Sequence, residues 1–211
     1  VVSAKLCEGQ AELRTAYRKV HPRHRDQRVY LEDHQNPLDC LWGLVSPDGV
    51  NWTMLSDPLL VNECDTDNAA YYDEFLGKYV VYTRLYWMSR RMIARAESDD
   101  FRHWTPVEPV IQPPLDDPLN SDLYLNARTT YPGEPSYQLM FPLLYERLTP
   151  TSVVHMYSSI DGIRWHRVPG GPVVTPGAPD TPDGAFIGVD RHLVPLGKDR
   201  VGIRYWGTGY P

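Results

Sequence analysis

At 211 residues, with 21 Lys and Arg against 27 Asp and Glu and a net charge of −6, the chain is an acidic globular sequence long enough to bury a core. That balance provides no global basic field for nucleic acid or an anionic membrane, and no run approaches the roughly 18 apolar residues of a membrane span. Three cysteines, Cys7, Cys40 and Cys64, are odd in number and lack a Cys-x-x-Cys pair, which argues against a disulfide framework or a zinc-finger site.

Twenty Pro and 15 Gly beside 14 Tyr and 6 Trp favour many short strands joined by turns. In chain order, Leu13, Thr15 and Tyr17 alternate with Arg14 and Arg18, so Ala11 to Val20 reads as a strand rather than a helix. The basic stretch His21 to His34 reads as a solvated loop inserted before the next strand, Leu38 to Val45. Ser46-Pro-Asp-Gly-Val-Asn-Trp52 follows, and the same Ser-x-Asp-x-x-x-Trp box returns at Ser98 to Trp104 and Ser159 to Trp165. The box aspartates Asp48, Asp100 and Asp161 lie 52 and 61 residues apart, near the ~40–50-residue period of a four-stranded propeller blade. Each box reads as a turn staple: Ser and Asp bond turn amides, Gly49 and Gly162 take positive φ, and the Trp packs between sheets. Phe101 in place of that glycine predicts another turn type in the second copy.

A second repeat keeps step with the first. Asp67, Asp122 and Asp183 each open a strand 19, 22 and 22 residues after a box aspartate. Each is followed by a hairpin: Tyr71-Tyr72 to Tyr79–Tyr82 through Gly77-Lys78, Leu123-Tyr124 to Tyr137–Phe141 through Pro132-Gly133, and Phe186-Ile187 to Val201–Tyr205 through Gly197-Lys198. Third strands, Arg91–Arg95 and Val153–Tyr157, run into the boxes, and fourth strands end at Pro58-Leu59, Pro109-Val110 and Pro172-Val173. The expected fold is all-β, a propeller of four-stranded antiparallel blades, with approximate blades 1–62, 63–115, 116–177 and a partial 178–211. A closed ring needs at least four blades, so an incomplete ring is expected, either a fragment of a longer protein, the favoured reading, or a chain whose open blades are completed by another copy.

In a propeller the first strand of each blade lines the central channel, so Asp67, Asp122 and Asp183 are expected to converge. Carboxylates gathered in one cavity repel one another and separate into an acid and a base. The alternative for each is a strand-start cap or turn ligand. Glu146, ending a second strand in Leu144-Tyr145-Glu146-Arg147, is a candidate general acid. Arg84 and Arg128 are candidates for hydroxyl or carboxylate binding, and Tyr124 and Trp206 offer flat faces to sugar C–H surfaces.

Tyr72-Asp-Glu-x-x-Gly-Lys-Tyr79, Arg95-Ala-Glu-Ser-x-Asp-Phe101, Asp122-Leu-Tyr124 and Ser159-x-Asp-Gly-x-x-Trp165 together resemble the five-bladed β-propeller glycoside hydrolases, relatives of families 32, 43 and 117. The resemblance covers nearly the whole chain and implies a glycosidase with an Asp base or nucleophile, an orienting Asp and a Glu acid around a funnel. By that resemblance the roles fall among Asp67, Asp122, Asp183 and Glu146. The Trp-x-Asn-Asp-Pro and Arg-Asp-Pro motifs of family 32 are missing, and Glu63-Cys64 matches its Glu-Cys motif only as a dipeptide, so fructan specificity is not implied.

The function expected is hydrolysis of an oligosaccharide or polysaccharide by paired carboxylates, with no nucleic-acid or membrane partner. Two other readings stay open: a non-catalytic sugar- or protein-binding propeller, and a glycoside phosphorylase whose arginines hold phosphate. No cofactor and no metal is required by this chemistry, although funnel carboxylates also suit a structural calcium. The chain opens Val-Val-Ser-Ala without a signal-like segment, which leaves secreted, periplasmic and cytoplasmic locations open, as well as the oligomeric state.

Overall fold

The structure is a computed structural model and describes residues 2–5, 39–62, 64, 67–87 and 90–209. The expected strand at Ala11 to Val20, the basic loop His21 to His34 and Glu63 lie outside the described residues. Every regular element among the described residues is a β-strand. The chain divides into two compact units, residues 1–89 with 94–109, and residues 90–93 with 110–211.

In the first unit, β1 (Val2–Lys5), β2 (Asp39–Val45) and β3 (Thr53–Val61) form an antiparallel sheet in chain order. The first box turn joins β2 to β3, with Val45 opposite Thr53. The register shifts around Trp42, which faces Pro58, a residue with no N–H to contribute to the ladder. Gly43 is small for a packing reason, because a Cβ there would stand 2.8 Å from Leu55 Cδ1. Cys40, Leu41, Leu59 and Leu60 are buried around it.

The second sheet is a meander of β4 (Ala69–Asp73), β5 (Lys78–Trp87), β6 (Arg90–Ser98) and β7 (Glu108–Ile111), hydrogen-bonded in that order. Asp73 closes the first hairpin: its Oδ1 accepts from Phe75 N at 3.0 Å and Leu76 N at 3.1 Å, and its carbonyl accepts from Gly77 N at 2.8 Å. Every residue from Val80 to Leu85 is at most 5% exposed, so β5 is covered on both faces. A sheet whose central strand is covered on both sides reads as a continuous apolar run, as Tyr79-Val-Val-Tyr82 does.

The second unit holds β8 (Ser121–Leu125), β9 (Thr129–Tyr131), β10 (Glu134–Met140), β11 (Leu143–Glu146), β12 (Thr151–Val154), β13 (Tyr157–Ser159) and β14 (His166–Arg167). They form two sheets, β12-β11-β8 and β14-β13-β10-β9. These are two halves of one four-line meander, creased at Asn126–Arg128, Phe141–Pro142 and His155–Met156. Hydrogen bonds still cross the crease, from Phe141 N to Asn126 O (3.1 Å), His155 N to Pro142 O (3.1 Å) and Val168 N to Met156 O (2.8 Å). Proline at 142 and a left-handed Ala127 (φ 40°) explain why the ladder breaks there.

Finally, β15 (Phe186–Pro195) and β16 (Val201–Thr208) form a two-stranded antiparallel sheet. Ile187 and Val189 of β15 join Ala127, Leu139, Phe141 and Val154 in one buried cluster. Each of the larger side chains among them, withdrawn from water, contributes about 1.5–3 kcal/mol.

The three box turns share most of their bonds, although the box Ser Oγ accepts the amide of Gly49 and of Gly162 but not that of Phe101. The box Asp Oδ1 accepts two successive amides, Val50 and Asn51 (2.9 and 2.8 Å), Arg102 and His103 (2.8 and 2.7 Å), Ile163 and Arg164 (2.9 and 2.8 Å). Each Trp Nε1 donates to the carbonyl just after the Asp, at 3.1, 3.2 and 3.1 Å. The expectation of a different second turn is corrected: Phe101 has φ 66°, beside 75° at Gly49 and 69° at Gly162. Its ring contacts Tyr79 (5.2 Å) and Trp104 (6.1 Å), which offsets the ~1–2 kcal/mol cost of a left-handed non-glycine residue. The tryptophans are likewise not uniformly packed between sheets, since Trp52 is 58% exposed and Trp165 only 9%.

Candidate functional site

Asp122 lies on β8 and is fully buried. Its Oδ1 accepts the backbone N–H of Arg91 at 2.9 Å, and its Oδ2 accepts Arg91 Nη1 at 2.7 Å, with Arg147 Nε at 3.8 Å. A buried carboxylate demands such charged, hydrogen-bonded partners, and removing one is far costlier than the pair is stabilising.

Strand alternation builds an aromatic surface beside it. Tyr145 pairs directly opposite Asp122, and Tyr124, the extra residue of a bulge between Leu123 and Leu125, meets the Tyr145 ring, so all three share a face. The Arg91 guanidinium stands 4.9 Å from the Tyr124 ring centre. Tyr124 and Tyr145 meet edge to face at 5.8 Å, and Phe186 meets both, at 5.7 and 5.4 Å. Trp206 continues the row 5.7 Å from Phe186 and is 38% exposed. Its indole lies against the β15 backbone because residue 188 is glycine; a Cβ there would sit 2.5 Å from the ring. This face of the sheet meets β15 directly, since Ser152 Oγ accepts from Ile187 N (2.7 Å) and donates to Ile187 O (2.9 Å).

Asp183 precedes β15 and makes its contacts within its own loop and hairpin. Its carboxylate accepts from Thr181 Oγ1 at 2.8 Å and from the Tyr205 hydroxyl at 3.2 Å. The Thr181 hydroxyl first, then the Tyr205 phenol, hold it below the usual carboxylate range, so it is charged at neutral pH. Tyr205 pairs with Val189 and Trp206 with Gly188, so Tyr205 and Trp206 face opposite sides of the hairpin.

Glu146 ends β11 opposite Ser121, and Asn120 Nδ2 lies 3.5 Å from its Oε1. One residue from Tyr145, it points away from the face that carries Asp122. Arg128 donates Nη2 to Gln138 Oε1 at 3.1 Å, and its amide is held by Asn126 Oδ1 at 3.0 Å. In the first unit, Arg84 is 5% exposed on β5, and Asp67 stands two residues before β4 with φ 55°. Among the described residues no group of three His, Cys, Asp or Glu is arranged around a possible metal position.

Sequence reasoning missed Arg91, Arg147, Tyr145 and Phe186 as neighbours of Asp122. Arg91 lies 31 residues before its partner, beyond any local spacing rule. Only the Tyr-Glu-Arg run at 145–147 carried a local signal, through the alternation that places Tyr145 and Arg147 on one side.

No protein-family profile and no curated protein sequence matches the chain. Solved structures do match. An N-acetylgalactosamine deacetylase from F. plautii, in complex with blood group B trisaccharide, is similar with TM-score 0.56 and 16% identity, over 77% of this chain and 44% of that one. The chain carries a β-propeller fold. It shares the propeller with glycoside hydrolases of the family 32 and 43 type, such as fructan 1-exohydrolase IIa from Cichorium intybus (TM-score 0.53, 19% identity, 77% and 30% coverage). The β-1,2-mannobiose phosphorylase from Listeria innocua is similar to the same extent (TM-score 0.54, 14% identity, 82% and 46% coverage). The propeller described here spans less than half the length of each of these three structures.

Proposed function

We propose that this propeller chain belongs to a glycan-processing enzyme that hydrolyses a glycosidic bond with carboxylates. The observation that carries this reading is the Asp122–Arg91–Tyr124 arrangement leading through Tyr145 and Phe186 to the partly exposed Trp206. Flat rings beside a charged hydrogen-bonding pair suit a sugar ring, which presents C–H faces and hydroxyl edges together. A fold shared with a fructan exohydrolase supports the reading by analogy, and the fold shared with a mannobiose phosphorylase supports its coarser, glycan-processing part.

Environment divides the carboxylates by role. Asp122, without exposed surface and saturated by Arg91, orients and tunes its surroundings. Asp183, partly exposed and held in its charged form by Thr181 and Tyr205, is the carboxylate that attacks the anomeric carbon or activates water. For the protonating acid two candidates remain, Asp67 of the first unit and Glu146, whose side chain faces away from Asp122, and single variants test each by itself. Hydrolysis is favoured over phosphorolysis because two of the arginines a phosphate would need are already engaged, Arg95 with Glu97 at 2.5 Å and Arg128 with Gln138.

The test is sugar release from a panel of oligosaccharides and aryl glycosides, with and without phosphate, by the full protein and its Asp183→Asn and Asp122→Asn variants. Hydrolysis predicts phosphate-independent release that falls by about 10²–10⁴-fold in Asp183→Asn. Release only with phosphate identifies a phosphorylase, and sugar binding without any release identifies a binding propeller.

A further inference from the structure

Asp67 is an L-residue in the left-handed region, at φ 55°. Such a conformation persists only where the surroundings over-determine it. The next residue, Asn68, starts a chain of side-chain hydrogen bonds that reaches into the first unit. Asn68 Nδ2 donates to Cys64 O at 2.7 Å. Asn68 Oδ1 accepts from Thr83 Oγ1 at 2.6 Å. Thr83 Oγ1 in turn accepts from Asn62 Nδ2 at 3.3 Å, and Asn62 Nδ2 also donates to Arg84 O at 2.8 Å. Thr83 and Asn62 are each 1% exposed, so water is not there to replace a lost bond.

We infer that Thr83, with Asn62 and Asn68, is a positioning device that holds Asp67 in its left-handed conformation. The inference rests on the reading of Asp67 as a carboxylate of the reaction. The anchor suits the task, because Thr83 sits in the stretch of β5 where every residue from Val80 to Leu85 is buried. A turn needed only for chain reversal is served by glycine, which adopts positive φ without a steric penalty. Here an aspartate occupies the position and a buried network supplies what glycine would have given freely. Displacements of about 1 Å in a reacting group cost up to ~10²-fold in rate, which gives such a tether its value.

The test uses crystal structures of the full protein and its Thr83→Val and Thr83→Ser variants to read the backbone at position 67. Turnover of the glycosides cleaved by the wild type reads the consequence. Thr83→Val is expected to move Asp67 out of the left-handed region and to lower kcat about 10- to 100-fold, with KM within about threefold. Thr83→Ser, which keeps the hydroxyl, is expected to restore both. A Thr83→Val structure with Asp67 still near its original φ overturns the inference, as does an unchanged kcat once Asp67 has moved. If the wild type cleaves no glycoside while Asp67 moves in Thr83→Val, the hydrolase reading fails and the tether stands. Should Thr83→Val not fold, Asn68→Ala removes the adjoining bonds from the partly exposed side and takes its place.

Discussion

Asp122 and Glu146 occupy adjacent register positions on β8 and β11, yet they face opposite sides of their sheet. Asp122 pairs with Tyr145, and Glu146 with Ser121. A one-residue step along a strand reverses the side chain, so two acids that look like neighbours in projection do not share a cavity wall. The Asp122 side is instead completed by two arginines from distant segments.

That pairing predicts a strong coupling. Arg91→Met leaves a buried carboxylate with the residue-91 amide and, 3.8 Å away, Arg147 as its one charged partner, and is expected to destabilise by about 3 kcal/mol. Combining it with Asp122→Asn should cost clearly less than the sum of the single changes, with a coupling of about 1–3 kcal/mol. Denaturant unfolding of the four proteins measures it, and strict additivity would refute the pairing.

The second box turn predicts an asymmetry between its copies. Phe101→Gly removes left-handed strain but also two ring contacts, so the unfolding free energy should change by less than about 1 kcal/mol. Gly49→Ala introduces the strain with no compensating contact, since nothing stands within 4 Å of a Cβ there, and should destabilise by about 1–2 kcal/mol. Thermal denaturation of both variants separates the two outcomes.

His155 makes stability depend on pH. Burial first, and the nearby positive charge of Arg167 second, hold its imidazole below the ordinary value of 6.5. The folded protein therefore keeps it neutral where the unfolded chain already binds a proton. Stability should fall as pH drops through 6.5 and level off once the folded-state pKa is passed. His155→Gln should flatten that part of the curve, measured by denaturant titrations between about pH 5 and 7.5.

Gly188→Ala tests the seat of Trp206. The added methyl would meet the indole at 2.5 Å, so the ring must leave the β15 backbone. A red-shifted tryptophan emission and weaker sugar binding are expected together. An unchanged spectrum would mean that the indole does not rest there.

Short-range pattern carried most of the fold. Alternation and Gly-Lys turns located the hairpins of β4–β5 and β15–β16, and the repeated box located three turns that share the aspartate's bonds to two successive amides. What escaped were effects of distance. Phe101 adopts a glycine's φ because Tyr79, 22 residues earlier, supports its ring. The exposure of the box tryptophans depends on what covers each turn, so one motif gives both the open Trp52 and the enclosed Trp165. At the candidate site, Asp122 was legible as a strand-opening acid. Its full burial and its partner Arg91 were not, because Arg91 comes from a segment 31 residues earlier that no spacing rule connects.

The crease at Asn126–Arg128, Phe141–Pro142 and His155–Met156 divides labour within one meander. On one side lie Asp122, Tyr124, Tyr145 and Ser152; on the other lie the Pro132-Gly133 hairpin and the third box turn. Ladder pairing stops at that line and is carried across by a few isolated bonds. A lengthened hairpin at Pro132-Gly133 can therefore tilt its own half without dragging the aspartate and its rings out of register. The same line makes the far half the natural place to graft a loop or a tag, and lets it diverge freely while the half that bears Asp122 stays fixed.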